Sequence, residues 1–233
     1  MGISTVVHLI IAGHFWFGCY YNWFHVNVPL EVSDLGDAKF RTKQLKFLTY
    51  WDALLQSIFF TICVLNDFIG SNERFPKKRP LIRKIKDFVL PALAFPVSMF
   101  VSVTFWGLYA VDRELILPKA LDPYFPGWLN HLVHTNVIIF SFFELIWSYR
   151  KYPSRKVGLS VLCAFMLTYL VWMHYIHFCT NKWVYRVLTV LDLPGRIAFF
   201  IGNLSFAVAM YILGEKINNI RWGHITKAKA HKK

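Results

Sequence analysis

Six stretches of about twenty mainly apolar residues constrain the fold of this chain more than any other feature. A helix that crosses the hydrocarbon core of a bilayer needs about 20 such residues. No segment between the six stretches is long and polar enough for a soluble domain. The sequence therefore predicts an all-α membrane protein, a single domain over residues 1–233, with six transmembrane helices in one bundle. The predicted spans are residues 5–24, 47–65, 88–111, 128–149, 158–179 and 197–214.

The composition also favours a membrane protein. Charged residues make up only 17% of the chain and hydrophobic residues 56%, whereas about 25% of the residues in soluble domains are charged. A formal net charge of +13 would suggest nucleic acid for a soluble protein, but in a membrane protein it reflects cations in cytosolic loops. We therefore expect a lipid bilayer, and no nucleic acid, as a partner. The four cysteines show no CxxC spacing, which argues against a disulfide framework or a zinc finger.

The distribution of lysine and arginine predicts which ends of the spans face the cytosol. Seventeen of the 26 cations lie between spans two and three, between spans four and five, or after span six. Short segments rich in Lys and Arg remain cytosolic. Both termini are therefore expected in the cytosol, with residues 216–233 as a basic cytosolic tail.

Polar side chains from three spans are expected at similar depth in the non-cytosolic half of the membrane. In the second span Thr49, Asp52 and Gln56 follow one another at helical spacing, so they share one face. In the fourth span His131 and His134 lie in the first two turns. Ionisable groups in a membrane are costly and usually face a bundle interior or a cavity. The fifth span adds two histidines at this depth, His174 and His177.

These polar residues also have structural interpretations. Threonine in a membrane helix usually bonds its own backbone, and an aspartate near a helix start is favoured by the helix dipole. Single histidines often lie at the membrane interface. Glu144, nearer the predicted cytosolic side, is expected to pair with a cation or to be protonated. Pro91 and Pro96 are expected to kink the third span.

Three chemical hypotheses remain for the polar cluster. In the first hypothesis, the two HxxH pairs at 131–134 and 174–177 supply four imidazoles to a zinc or iron ion. A transporter would use the cluster to line a pathway. In the third hypothesis a neutral imidazole accepts the proton of a hydroxyl about 3 Å away, which makes that hydroxyl a nucleophile for acyl transfer. The chain has no GxSxG motif, which excludes an α/β-hydrolase.

Six stretches carry a family resemblance: KFLTYWDALLQSIFF (46–60), LAFPVS (93–98), FWGLYAVDRELILPKALD (105–122), WLNHLVHT (128–135), YPSRKVGL (152–159) and YILGEKIN (211–218). In order along nearly the whole chain, they resemble the family of the androgen-induced gene 1 protein and the androgen-dependent regulator of tissue factor pathway inhibitor. The resemblance implies a six-span membrane hydrolase that cleaves fatty acid esters of hydroxy fatty acids with a threonine and a histidine. The family's threonine corresponds to Thr49 here, and its histidine, the second in an NHxxHT motif, corresponds to His134.

The hydrolase hypothesis assigns a role to each candidate residue. Thr49 is the expected nucleophile and His134 the general base, and neither a metal nor an organic cofactor is expected. Asp52 is the candidate for orienting the histidine, as the third member of a triad does. The candidate oxyanion donors are Asn130, His131 and Gln56, and the candidate cations for the substrate carboxylate are Arg41, Lys43 and Lys46.

The expected partners are fatty acid esters of hydroxy fatty acids and the bilayer, without an obligate protein partner. The expected location is the endoplasmic reticulum, the cell membrane or both, as a multi-pass protein. The alternative functions are a non-enzymatic membrane regulator or scaffold and the histidine-liganded metalloenzyme.

Overall fold

The computed structural model describes residues 2–29, 43–74 and 78–230, with the backbone alone for residues 43 and 224–230. Within these ranges the regular structure is helical, without strands, and six helices are long and apolar enough to cross a membrane. The predicted all-α class with six spans is thereby confirmed. The helices are α1 (Ile3–Phe24), α2 (Leu48–Ile69), α3 (Leu81–Leu115), α4 (Gly127–Trp147), α5 (Arg155–Thr180) and α6 (Leu193–Ala230).

Two helices extend beyond the apolar stretches that predicted them. α6 continues to Ala230, and α3 begins at Leu81 rather than at residue 88. The added turns of α3 carry Arg83 and Lys86, whose side chains are buried. Arg83 pairs with a carboxylate one turn along α3 at 2.9 Å, and Lys86 pairs with Glu144 of α4 at 3.2 Å. Hydropathy alone excludes such residues from a span, whereas the bundle accommodates them because each cation meets a carboxylate.

Both α3 and α4 contain one turn of π-helix. The turn in α3 covers Leu90–Ala94 and includes Pro91, so the irregularity predicted from the prolines takes this form. The carbonyl of Ala94 accepts a hydrogen bond from Nε2 of Gln56 at 2.8 Å. The turn in α4 covers Leu132–Asn136. Single π turns inside α-helices frequently lie at functional sites.

Close packing of α1 holds α2 and α4 together. Phe15 of α1 stacks on Phe60 of α2 with 5.9 Å between the ring centroids. Gly18 of α1 lies against Leu132 in the π turn of α4, and a Cβ at residue 18 would lie 2.5 Å from Cδ2 of that leucine. A larger residue here would force the Leu132 side chain to shift, and small residues are common where membrane helices cross closely. The contact fixes the π turn of α4 relative to α1 and, through it, to α2.

A buried ionic cluster joins the helices at the far end of the bundle. Glu144 of α4 is fully buried, and its carboxylate lies 2.9 Å from Arg150, 3.2 Å from Lys86 and 3.2 Å from His8. The other ring nitrogen of His8 lies 2.6 Å from Asp67, near the end of α2. The prediction that Glu144 pairs with a cation is therefore confirmed.

If all six helices cross the membrane, an even number of crossings puts the start of α1 and the end of α6 on the same face, as the sequence predicts. The ionic cluster lies toward this face, as do the basic segments that follow α2 and α4. The assignment of this face to the cytosol stays a prediction from the positive-inside rule. The opposite end of the bundle, where α2 and α4 begin, is called the Thr49 end below.

Candidate active site

A threonine and a histidine from two different spans meet at the Thr49 end. Thr49 is the second residue of α2, just after a 3₁₀ turn over Lys43–Lys46, and His134 lies in the π turn of α4. The Oγ1 atom of Thr49 is 3.1 Å from Nε2 of His134. This distance is that of a hydrogen bond from a hydroxyl to an imidazole nitrogen. The structure thus brings together the two residues that the sequence predicts as nucleophile and base.

The second ring nitrogen of His134 is held by the helix that carries it. Nδ1 lies 2.8 Å from the side-chain oxygen of Asn130 and 3.1 Å from the backbone oxygen of the same residue. Because both oxygens are acceptors, Nδ1 carries the proton and donates it. Nε2 is then unprotonated and accepts the hydroxyl proton of Thr49. Nucleophile, base and orienting group therefore form one chain of hydrogen bonds.

Aromatic side chains of α3 enclose the imidazole. His134 is only 5% exposed, and the ring of Phe105 lies parallel to it, with 3.5 Å between centroids and 10° between planes. Trp106 donates its indole N–H to the backbone oxygen of His134 at 3.2 Å. The imidazole is therefore fixed on one face by a ring and at both nitrogens by hydrogen bonds, an arrangement that limits rotation about its side-chain bonds.

Asp52 and Gln56 lie deeper along α2 and bond each other. Nε2 of Gln56 donates to a carboxylate oxygen of Asp52 at 2.8 Å and to the carbonyl of Ala94 at 2.8 Å. Both N–H groups of Gln56 are thereby used in the described structure, so none remains for an oxyanion. The sequence predicts that Asp52 orients the imidazole of His134. In the structure Asn130 takes this role, because one ring nitrogen of His134 bonds Asn130 and the other bonds Thr49.

His131 lies outside the hydrogen-bonded chain around His134. Its ring stacks on Trp106 with 5.5 Å between centroids, and its Nδ1 lies 3.1 Å from the hydroxyl of Thr135. The side chain is exposed at the surface of α4. The geometry therefore separates this candidate oxyanion donor from the hydroxyl of Thr49.

The four histidines of the metal hypothesis do not come together. His174 and His177 pack against one tryptophan side chain. Among the described residues, only His8, Cys63 and Glu144 form a group of three possible ligands, with ligand atoms within 4.8 Å of one another. The carboxylate of that group already pairs with a lysine and an arginine, whose charges oppose a metal cation. The hypothesis of a four-imidazole site is therefore wrong.

Of the three cations predicted near the substrate carboxylate, the structure describes one side chain. Arg41 lies outside the described residues, as does the side chain of Lys43. The ammonium of Lys46 lies 5.1 Å from the centroid of the Phe47 ring, and burial lowers the pKa of this lysine. A partly desolvated ammonium gains stability from an anionic partner. Lys46, three residues before Thr49 in the sequence, thus has the chemistry to bind a carboxylate.

An apolar cavity of about 330 Å³ has Thr49 in its wall. The wall is formed by α2, α3, α5, α6 and the segment that joins α5 to α6. Two tyrosines supply part of its polar surface: Tyr185 accepts the backbone N–H of Leu48 at 3.0 Å, and the hydroxyl of Tyr169 lies 3.0 Å from that of Tyr185. Burial raises the pKa of Tyr185. Spacing along the chain gives no sign that residues 169 and 185 lie beside the start of α2.

The family model for FAR-17a/AIG1-like proteins matches residues 3–219. This chain belongs to the FAR-17a/AIG1-like family. The matched region includes both Thr49 and His134, and the resemblance found in the sequence is confirmed. The human androgen-induced gene 1 protein is 42% identical over 184 residues, which cover 76% of this chain and 77% of that protein.

Other FAR-17a/AIG1-like relatives match over greater length. The mouse androgen-dependent TFPI-regulating protein is 38% identical over 219 residues, which cover 91% of this chain and 94% of that protein. The human protein of the same name is 33% identical over 236 residues, which cover 99% of this chain and 98% of that protein. No solved structure matches this FAR-17a/AIG1-like chain.

Proposed function

We propose that this chain is an intramembrane hydrolase of lipid esters, with Thr49 as nucleophile and His134 as general base. The single observation that supports it most is the 3.1 Å contact between the hydroxyl and Nε2. The hydrogen bonds from Nδ1 to Asn130 add support, because they leave Nε2 free to accept a proton. The apolar cavity at the same hydroxyl supplies a place for a fatty chain.

The first half of the reaction forms an acyl-threonine. The proton of the Thr49 hydroxyl moves to Nε2 of His134 as the oxygen attacks the ester carbonyl. The tetrahedral intermediate collapses, the bond from the carbonyl carbon to the ester oxygen breaks, and that oxygen takes the proton from the imidazolium. The alcohol product, a hydroxy fatty acid, leaves. In the second half, His134 removes a proton from water, the hydroxide attacks the acyl-threonine, and the Thr49 oxygen takes the proton back as the fatty acid departs.

The oxyanion is assigned to the backbone N–H of Thr49 itself. This group belongs to the first turn of α2, where N–H groups have no partner within the helix. Its neighbours are occupied: the N–H of Leu48 donates to Tyr185, and the N–H of Tyr50 donates to the carbonyl of Phe47. The dipole of α2 also favours negative charge at this end. Asn130, whose side-chain oxygen binds Nδ1 of His134, and His131, whose ring lies against Trp106, are not assigned this role.

The proposed substrates are fatty acid esters of hydroxy fatty acids. This substrate class rests on the family resemblance, and two features of the site are consistent with it. The cavity wall is almost wholly apolar, as a fatty acyl chain requires. Lys46, whose pKa is lowered by burial, lies three residues from Thr49 and is the proposed partner of the free carboxylate. The reaction as written uses no cofactor.

The proposed location of the site is the non-cytosolic half of the membrane. The endoplasmic reticulum and the cell membrane are both compatible with this orientation. A second candidate function is that of a non-enzymatic membrane regulator or scaffold, because two of the relatives named above carry the name androgen-dependent TFPI-regulating protein. The hydrolase and the scaffold differ in whether purified protein cleaves an ester.

The proposal is tested by ester cleavage with purified Thr49→Ala and His134→Ala variants in detergent. Each is expected to lower kcat by about a thousandfold or more, because triad members contribute effects of this order. Thr49→Ser keeps a hydroxyl and should retain measurable turnover. Thr61→Ala serves as the matched control, since Thr61 lies on the same helix and bonds the backbone of Ser57. Full activity in a folded Thr49→Ala or His134→Ala variant would remove that residue from the mechanism.

A further inference from the structure

The cavity beside Thr49 has two lining residues on the outer surface of the bundle. Among the described residues that line it, Leu167 of α5 is 46% exposed and Ile201 of α6 is 62% exposed. Other lining residues on the same helices, such as Met166 and Met173, are buried. The two exposed residues belong to neighbouring helices that pack against each other. The cavity therefore approaches the surface at the seam between α5 and α6.

This seam lies at the depth of the hydrocarbon core. Leu167 is the thirteenth of the 26 residues of α5, and Ile201 is the ninth residue of α6. At 1.5 Å per residue they lie about 20 Å and about 12 Å from the Thr49 end of their helices. The hydrocarbon core of a bilayer is about 30 Å thick. An opening at this depth faces lipid tails and not water.

The interior of the cavity connects this depth with the catalytic hydroxyl. On α5 the lining residues run from Met166 to Met173, about 10 Å of helix. Phe105, which stacks on His134, also lines the cavity. The opposite wall is α3, which packs along α6 and closes that side. Tyr169 donates to the backbone oxygen of Lys46 at 2.9 Å, and its ring packs on Trp51. Thr49 therefore lies level with the start of this stretch, and an acyl chain bound at Thr49 extends along α5 toward Met173.

We propose that the fatty acyl chain of the ester enters sideways from the bilayer, between Leu167 and Ile201, and occupies this cavity. The inference rests on the proposed hydrolase function and adds its entry route and acyl-binding site. Because the seam is apolar and lies among lipid tails, it admits the acyl half of the substrate. The half that carries the free carboxylate remains at the Thr49 end, where Lys46 lies. The seam thereby selects esters by the length and bulk of the acyl chain.

Blocking the seam with a large side chain tests this route. Ile201→Trp and Leu167→Trp should lower hydrolysis of a long-chain ester in vesicles by about tenfold or more. Hydrolysis of a short aryl acetate, which needs no acyl cavity, should change less than about twofold. Ile197→Trp is the matched control, since Ile197 lies one turn away on α6, is 51% exposed and does not line the cavity. This control should leave both activities unchanged.

A second measurement does not depend on catalysis. A long-chain ester with a photoactivatable group near the end of its acyl chain is incorporated in vesicles that contain the protein. Met173 is only 4% exposed, so a lipid reaches it from inside the cavity. Crosslinks to the peptide that contains Met173 are expected in the wild type and in Ile197→Trp, and their loss is expected in Ile201→Trp.

The outcomes separate the entry route from the proposed function. Crosslinking to Met173 that is unchanged in Ile201→Trp and in Leu167→Trp overturns the route. An equal loss of long-chain and acetate hydrolysis in these two variants also overturns it. Seam-dependent crosslinking in a protein that cleaves neither ester would support the route and refute the hydrolase.

Discussion

Asn130 is expected to control turnover through His134 alone. In Asn130→Ala, Nδ1 of His134 loses the acceptor at 2.8 Å but keeps the backbone oxygen at 3.1 Å. The tautomer is therefore retained, while the ring loses one of the two hydrogen bonds that orient it. A neutral hydrogen bond of this kind contributes about 0.5–1.5 kcal/mol, which corresponds to roughly a 2–13-fold decrease in kcat. KM should not change, because the amide does not touch the proposed substrate.

Two further variants make this prediction specific. Asn130→Asp keeps an acceptor at the same place, and its carboxylate also stabilises the imidazolium, so kcat should stay within about threefold of the wild type. Asn136→Ala removes an amide from the π turn that carries His134. This amide bonds His14 at 3.0 Å and does not contact His134, so the variant should leave kcat unchanged. The assay is steady-state hydrolysis of a long-chain ester in detergent. Wild-type kcat in Asn130→Ala, a change in KM alone, or an equal loss in Asn136→Ala would refute the orienting role.

Three other predictions concern the stability of the helix bundle and the role of the Asp52 carboxylate. Glu144→Ala leaves a buried lysine and arginine without their carboxylate and should cost about 3–5 kcal/mol, measured as a lower melting temperature in detergent. Asp52→Asn should change kcat by less than about twofold, because the carboxylate bonds a neighbouring amide of α2 and not the imidazole; a large loss would restore it to the mechanism. Gly158→Ala should cost about 1–3 kcal/mol because its Cβ would overlap the Tyr211 hydroxyl. Gly202→Ala, inside α6 with open space around it, should cost nothing and gain up to about 1 kcal/mol.

The six spans follow from features that the sequence carries directly, as does the expectation that Thr49 and His134 lie at similar depth. Their pairing as nucleophile and base is implied by the family resemblance. Length and hydropathy define the six helices, and the alternation of their directions places the start of α2 and the start of α4 at the same end. The start of α3 was not predictable in this way, because its first turns carry Arg83 and Lys86, whose charges are tolerable in a membrane only when each is paired with a carboxylate.

The orienting residue was harder to predict from the sequence. Asp52 shares a face of α2 with Thr49, which favoured a carboxylate as the third group. The structure instead uses Asn130, four residues before His134 on the same helix. An i, i+4 pair is a signal that the sequence contains. The sequence does not show that this pair orients His134, because the π turn that sets the direction of the imidazole has no clear sequence signature.

The central claim is most directly tested by locating the covalent adduct that an active-site electrophile leaves. The purified protein is treated with a fluorophosphonate probe, digested and analysed by peptide mass spectrometry. The adduct is expected on the hydroxyl of Thr49 in the wild type and is expected to fall to background in His134→Ala, because the hydroxyl then has no base 3.1 Å away. An adduct on a different residue, or one on Thr49 that forms equally well without His134, would contradict the account.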